Sequence, residues 1–222
     1  MPVGRAWRRI LMLGIAVAAA STAIDAAANA VLAAKFNRKV EIGTPAPEWQ
    51  GLEGVDGRKH RLADYKQAKV LVVAFMSNQC YVSQLYEERL INFVKEFKPD
   101  EVRLVAISCS LLPADRLDKM KERAKSKGFN FDYVMDPTQQ TGKDYGATVT
   151  PQVFVLDPKR NIAYMGRFDD NIFPDNVHRK FAEDAVHALL SGKQPDPNET
   201  RATGCGIEYG KPNYRIEGSG GE

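Results

Sequence analysis

The sequence predicts a single α/β sandwich built on a mixed sheet. Three observations carry that reading. Val70–Phe75 and Val102–Ser108 are continuous apolar runs, the pattern of strands covered on both faces. Each is followed by a segment with apolar residues at helical spacing. The chain then closes on an antiparallel pair and a last helix, which makes a parallel sheet mixed.

The elements follow in order. Ile42-Gly-Thr-Pro-Ala-Pro47 is a proline-punctuated opening loop, and Asp56-Gly57 is the turn of a hairpin between Trp49–Leu52 and Lys59–Leu62. After the first buried strand, Val82, Tyr86, Leu90, Phe93 and Phe97 lie on one face of a helix that Pro99 ends. After the second, Asp115–Lys127 reads as a helix closed by Gly128. Tyr133–Met135 is a short strand and Pro137–Tyr145 a short helix. Thr150-Pro151 introduces the strand Gln152–Leu156, which Asp157–Asn161 turns into Ile162–Gly166. A last helix is expected over 174–190, and the rest reads as a loop-like, partly disordered tail.

With 222 residues and 44% hydrophobic composition, the chain is long enough for one sizeable core. Arg5, Arg8 and Arg9 precede an apolar run from Ile10 to Ala20 and then a string of small residues. That order reads as a secretory signal with cleavage after Ala23, Ala28 or Ala30, and places the protein in the periplasm or another extracytoplasmic space. The run is shorter than the ~20 residues that span a bilayer, so membrane attachment is expected only if the signal stays uncleaved. The domain boundaries are then 1–30 for the signal, 31–41 for a linker, 42–191 for the folded domain and 192–222 for the tail. The net charge is +3, most of it in the signal, and there is no block of like charge. Nucleic acid is therefore not an expected partner.

Chemistry concentrates at Ser77-Asn78-Gln79-Cys80, between the first buried strand and its helix. Unpaired N–H groups and the positive helix end favour a thiolate there, so Cys80 is the candidate nucleophile. Ser77 lies one turn earlier, within reach of the same sulfur. The chain has only three cysteines, Cys80, Cys109 and Cys205, an odd number that leaves at least one thiol unpaired if the others bond. Cys109 follows the second parallel strand and so reaches the same sheet edge as Cys80. Cys205 belongs to the tail. Either is a candidate resolving or disulfide partner.

This order of elements resembles the thioredoxin fold in its larger form, that of the alkyl hydroperoxide reductase and thiol-specific antioxidant families. The match runs from Ile42 to Tyr209. It is closest to a bacterial thioredoxin-like subfamily whose site reads Cys-Asn-x-Cys-Pro and whose chain closes with Gly-Cys-x-Ile. Asn78, Tyr86, Glu87, Arg89 and Leu90 fit its helix, and Gly204-Cys205-Gly206-Ile207 fits its closing motif. The resemblance implies a three-layer sandwich with a central mixed sheet and an N-terminal hairpin extension. It also implies a cis Thr150-Pro151 bond beside the reactive cysteine, with a backbone edge open to an extended substrate.

Two departures matter. Ser77 stands where the subfamily has its first cysteine, and Tyr81 where it has proline. The site keeps the form of a peroxiredoxin-like thiol enzyme, with a hydroxyl three residues before the attacking cysteine, although Val73 replaces that family's proline. Arg89 and Arg167 are candidates to stabilise the thiolate. The expected function is an exported thiol redox protein in which Cys80 reacts with peroxide or protein disulfides and an external thiol restores it. No cofactor or metal is expected. A redox-silent binding domain that lost a catalytic cysteine is the alternative. A copper-handling site, which would draw on His60, His178 or His187, has no local cysteine–histidine motif behind it.

Overall fold

The computed structural model describes residues 34–210 of the chain. The proposed signal and the last twelve residues lie outside the described residues. β3 (Val70–Phe75) and β4 (Val102–Ser108) pair in parallel at the centre, from Val70 opposite Val102 to Phe75 opposite Ile107. β5 (Asp132–Met135) adds in parallel to β4. β7 (Gln152–Leu156) adds antiparallel to β3, and β8 (Ile162–Gly166) antiparallel to β7. The hairpin of β1 (Leu52–Gly54) and β2 (Lys59–His60) extends the other side through β5. The sheet order is β2-β1-β5-β4-β3-β7-β8. This is the expected α/β sandwich with a central mixed sheet and an N-terminal hairpin extension.

Alternation along the central strands sorts the core into two halves. Val70, Val72 and Ala74 face the helices α1 (Tyr81–Lys95), α2 (Leu117–Lys127) and α4 (Phe181–Leu190), through Leu90, Phe93, Met120, Ala182 and Val186. Leu71, Val73 and Phe75 face the opening segment, through Ile42, Trp49 and Tyr65, and α3 (Gln140–Tyr145), through Tyr145. Phe75, Tyr145 and Phe154 meet edge to face at ring separations of 5.1 to 5.8 Å. The opening loop runs along β8, with Gly43 N–H donating to the Ile162 carbonyl and Ile162 N–H to that of Thr44.

Four sequence expectations are corrected. The first hairpin strand is displaced from the expected Trp49–Leu52 to Leu52–Gly54, because Gly51 takes φ +73°, and the second stops at His60, because Leu62 already begins a 3₁₀ turn. Helix α1 stops at Lys95, so Phe97 follows it rather than belonging to it. The last helix starts at Phe181, not near Pro174. The His178 N–H is taken by the Asp170 carboxylate and the Arg179 carbonyl by the Asp170 N–H, which holds this stretch off the helix. The tail is not loose where it is described. It folds back and forms β9 (Cys205–Gly206), antiparallel to the two-residue strand β6 (Val149–Thr150).

The segment expected as a linker is also packed: Val40 joins the core, and the Glu199 carboxylate accepts the N–H groups of Lys35, Phe36 and Asn37. Gly128 closes α2 in the left-handed conformation (φ +68°), as the sequence predicts.

The edge-to-face trio is part of the buried core that also contains Cys109. Phe154→Ala is expected to cost about 3–5 kcal/mol of stability, the usual penalty for emptying a buried ring site. Chemical denaturation of the two proteins measures it. A loss below about 1 kcal/mol would mean that the cluster is not part of the supporting core.

Candidate active site

The site is built where β3 ends and α1 begins. Cys80 is the N-cap of α1, and its sulfur accepts the Ser83 N–H at 3.3 Å, one of the donors a helix start leaves without a backbone partner. The residue is only 3% exposed, yet what covers it is not an apolar wall. Its thiol reaches the Thr150 carbonyl at 3.0 Å, next to the cis bond between Thr150 and Pro151. Cys80 also lines a cavity of about 370 Å³ with Ser77, Cys109, Thr150 and Cys205.

The loop before Cys80 is held from below by a carboxylate that sequence reasoning did not single out. Asp115, fully buried in a 3₁₀ turn (Pro113–Asp115), accepts the Ser77 hydroxyl at 2.8 Å and the Asn78 N–H at 2.5 Å. Asn78 in turn donates to the Ala114 carbonyl and accepts from the Tyr133 hydroxyl. The Ser77 oxygen accepts the Gln79 N–H at 3.2 Å. The Ser77 proton is thus committed to Asp115 and not to the Cys80 sulfur, and Cys80, not Ser77, caps the helix. In the sequence Asp115 reads only as the start of a helix; nothing marks it as the partner of a loop 38 residues earlier.

The motif residues on α1 fasten the helix. Tyr86 and Arg89 both bond to the buried Asp169, at 2.6 and 2.5 Å, and Glu87 pairs with Arg123 on α2. Arg89 also donates to the carbonyls of Asn171 and Ile172. That commitment answers the expectation that it would stabilise the thiolate: it holds the loop after β8 instead. Arg167 bonds through its backbone, its N–H donating to the Thr200 hydroxyl and its carbonyl accepting from the Tyr164 hydroxyl. Tyr81, in the place of the subfamily's proline, is 63% exposed at the rim.

The structure separates the three cysteines, all of which are free thiols. Cys205 lies directly opposite Thr150 in the β6–β9 pair, which brings its thiol within hydrogen-bond reach of Cys80. Burial is the largest single influence on Cys80 and would raise its pKa. Hydrogen bonds from the Cys205 thiol, the Thr150 side chain and Ser83 outweigh it, and Cys80 falls below the ordinary thiol value.

Cys205 moves the other way, raised by burial and by its bond to Cys80, although the N–H groups of Val82 and Tyr81 oppose this. The pair therefore divides into a more acidic sulfur at Cys80 and a less acidic one at Cys205.

Cys109 enters the same cavity from the neighbouring strand, as the topology requires, but it is 1% exposed and its thiol faces the Tyr209 hydroxyl. Burial and the Asp136 charge push it up to about 12. It is packed like a small buried apolar side chain.

The histidines do not gather at these sulfurs. His60 bonds to Asp56 and Tyr65, and His187 packs against Phe97. Among the described residues, the groups of three or more potential metal ligands are Asp56–His60–Asp132 and Glu96–Glu183–His187, neither with a cysteine.

Asp115 gives a physical reason for serine at position 77. A hydroxyl there donates to a buried carboxylate, whereas a thiolate would face a like charge at hydrogen-bond distance. In a Ser77→Cys variant the introduced thiol is expected to titrate above the ordinary thiol value, leaving Cys80 the more acidic sulfur. The pH dependence of alkylation at each cysteine measures this. An introduced thiol that ionises below Cys80 would show that Asp115 does not control the position.

Comparison with known proteins agrees with this geometry. Residues 42–165 match the model of the AhpC/TSA family. The thiol-disulfide oxidoreductase ResA of Bacillus subtilis (strain 168) is 27% identical over 134 residues, 60% of this chain and 70% of that protein. The structure of a hypothetical protein from Sinorhizobium meliloti 1021 superposes with a TM-score of 0.71 at 31% identity, over 78% of this chain and 97% of that one. An uncharacterized conserved protein from Geobacillus kaustophilus gives the same TM-score and identity over 77% of this chain and 93% of its own. With the family model spanning more than half of its length, the chain belongs to the AhpC/TSA family, within the thioredoxin-like redoxins.

Proposed function

We propose that this protein is an exported thiol oxidoreductase in which Cys80 attacks the oxidant, peroxide or disulfide, and Cys205 supplies the second sulfur. The observation that carries the reading is the apposition of Cys80 and Cys205 at the start of α1, beside Thr150-Pro151. The sequence offers Cys109, at the same sheet edge, and Cys205, in the tail, as candidate partners; Cys109 is almost fully enclosed, whereas Cys205 is half-buried opposite Thr150, and this favours Cys205. Ser77 positions the loop through Asp115, and Thr150-Pro151 forms the substrate-side wall.

With a disulfide, the Cys80 thiolate attacks one sulfur, forming a mixed disulfide and expelling the other sulfur as thiolate. Cys205 then loses its proton to solvent and attacks Cys80 Sγ. The Cys80–Cys205 bond forms and the second substrate thiolate leaves. With a hydroperoxide, Cys80 breaks the O–O bond and takes one oxygen as a sulfenic acid, and the alcohol or water departs with a proton. Condensation with the Cys205 thiol forms the same disulfide and releases water. In both routes two electrons pass from the protein dithiol to the oxidant, and an external dithiol returns them.

Export rests on the order of basic, apolar and small residues in the first thirty positions, which lie outside the described residues. Among the described residues no helix is long and apolar enough to cross a membrane. The redox-silent alternative gives Cys80 no task, and the depressed thiol pKa at a helix start weighs against it.

A sub-stoichiometric pulse of hydrogen peroxide, followed by alkylation and peptide mass mapping, tests the proposal. The expected product is a Cys80–Cys205 disulfide with Cys109 unmodified, and Cys80→Ala abolishes oxidation at Cys205. Oxidation confined to Cys205, or an unmodified Cys80 in a chain that reacts normally once unfolded, would overturn it.

A further inference from the structure

The backbone edge beside Pro151, expected to be open, is filled. β9 lies along it, with Cys205 opposite Thr150 and Gly206 opposite Val149, and the Ile207 N–H donates to the Thr148 carbonyl at 2.9 Å. The groups that an extended peptide would use for strand addition are therefore already spent.

The docking is specific to the residues present. Gly204 passes so close to Thr150 that a β-carbon at this position would run into the Thr150 carbonyl and crowd the Pro151 nitrogen. The Gln139 side chain, carried on a left-handed residue (φ +61°), acts as a substitute strand partner. Its amide donates to the Glu208 carbonyl at 2.8 Å and accepts the Gly210 N–H at 2.8 Å. The Tyr209 hydroxyl donates to the Ala147 carbonyl at 2.7 Å, over Gly142, where a β-carbon would strike that hydroxyl. Ile207 packs against the core.

We propose that β9 is a resident occupant of the substrate edge and sets which oxidants reach Cys80. Docked, it leaves beside Cys80 a cavity of about 370 Å³, whose lining includes Gln79, Leu111, Leu112 and Glu208, and this admits a small oxidant. An extended peptide disulfide reaches Cys80 only when residues 204–210 lift away. The strand pair is two residues long, a length that opens readily unless other contacts hold it. Gln139, Tyr209 and Ile207 supply those contacts. This inference rests on Cys80 being the reactive sulfur.

The test compares the full-length protein with two variants that undock the strand, Gly204→Ala and Ile207→Asp, neither of which alters a cysteine. Reaction at Cys80 is followed by quenched alkylation and mass mapping with two probes, 2-hydroxyethyl disulfide and a mixed disulfide of a short extended peptide. Hydrogen exchange reports whether residues 204–210 are released. The expected result is a rise of at least about tenfold in the ratio of peptide to small-disulfide rates on release, because a closed edge must first open. A ratio unchanged within about twofold after release in either variant would overturn the proposal. Full protection in Gly204→Ala would overturn it as well, since a β-carbon is incompatible with the docked path. If Cys80 ignored both probes in all three proteins, the reading of Cys80 as nucleophile would fail instead, and exchange would still report on the docking.

Discussion

Thr150 and Cys205 face each other across a ladder only two residues long, and the chemistry of the site hangs on that contact. It places a second sulfur against Cys80 from a part of the chain 125 residues away, beside the cis bond between Thr150 and Pro151. The ladder contributes little by itself. Its register is imposed by groups on either side: Gly204, which has no side chain to hold the strand off, the Gln139 amide, and Tyr209 over Gly142. The sulfur pair is thus the product of a docked tail rather than of a local motif.

The second determinant is the contrast between positions 77 and 80. Both follow the same buried strand, but their surroundings have opposite sign. Cys80 meets the N–H of Ser83 and the positive end of α1, together with the Cys205 thiol. Ser77 meets the buried Asp115 carboxylate, which a hydroxyl satisfies and a thiolate would oppose. Serine at position 77 suits that frame, and in the proposed mechanism the tail supplies the second sulfur. The chain thereby keeps two sulfurs at the helix start without the usual two-cysteine motif.

Much of this was legible in the sequence. Unbroken apolar runs at 70–75 and 102–108 specify central strands, and the parallel pairing they adopt follows from the helix between them. The position of Cys80 at a helix start follows from the switch between strand and helix periodicity at Ser77. What the sequence concealed are contacts made at long range by residues with unremarkable neighbours. Asp115 reads as an ordinary helix-start acid, and Gln139 as one polar residue in a short helix. The tail reads as loop because its strand is two residues long and glycines stand at 204 and 206, and no local periodicity announces it. The last helix starts later than its periodicity implies because Asp170, eight residues or more from the stretch it holds, captures backbone groups that a helix would have used.

The central claim is that Cys205, delivered by β9, lowers the pKa of Cys80. Its most direct test is a pH titration of thiolate ultraviolet absorbance in the native protein and in a Cys205→Ala variant, with Cys80→Ala to assign the signal. The account predicts that Cys80 ionises below the ordinary thiol range in the native protein and that removing the Cys205 thiol shifts its midpoint upward. A Cys80 that titrates like a free thiol, with a midpoint indifferent to position 205, would contradict it.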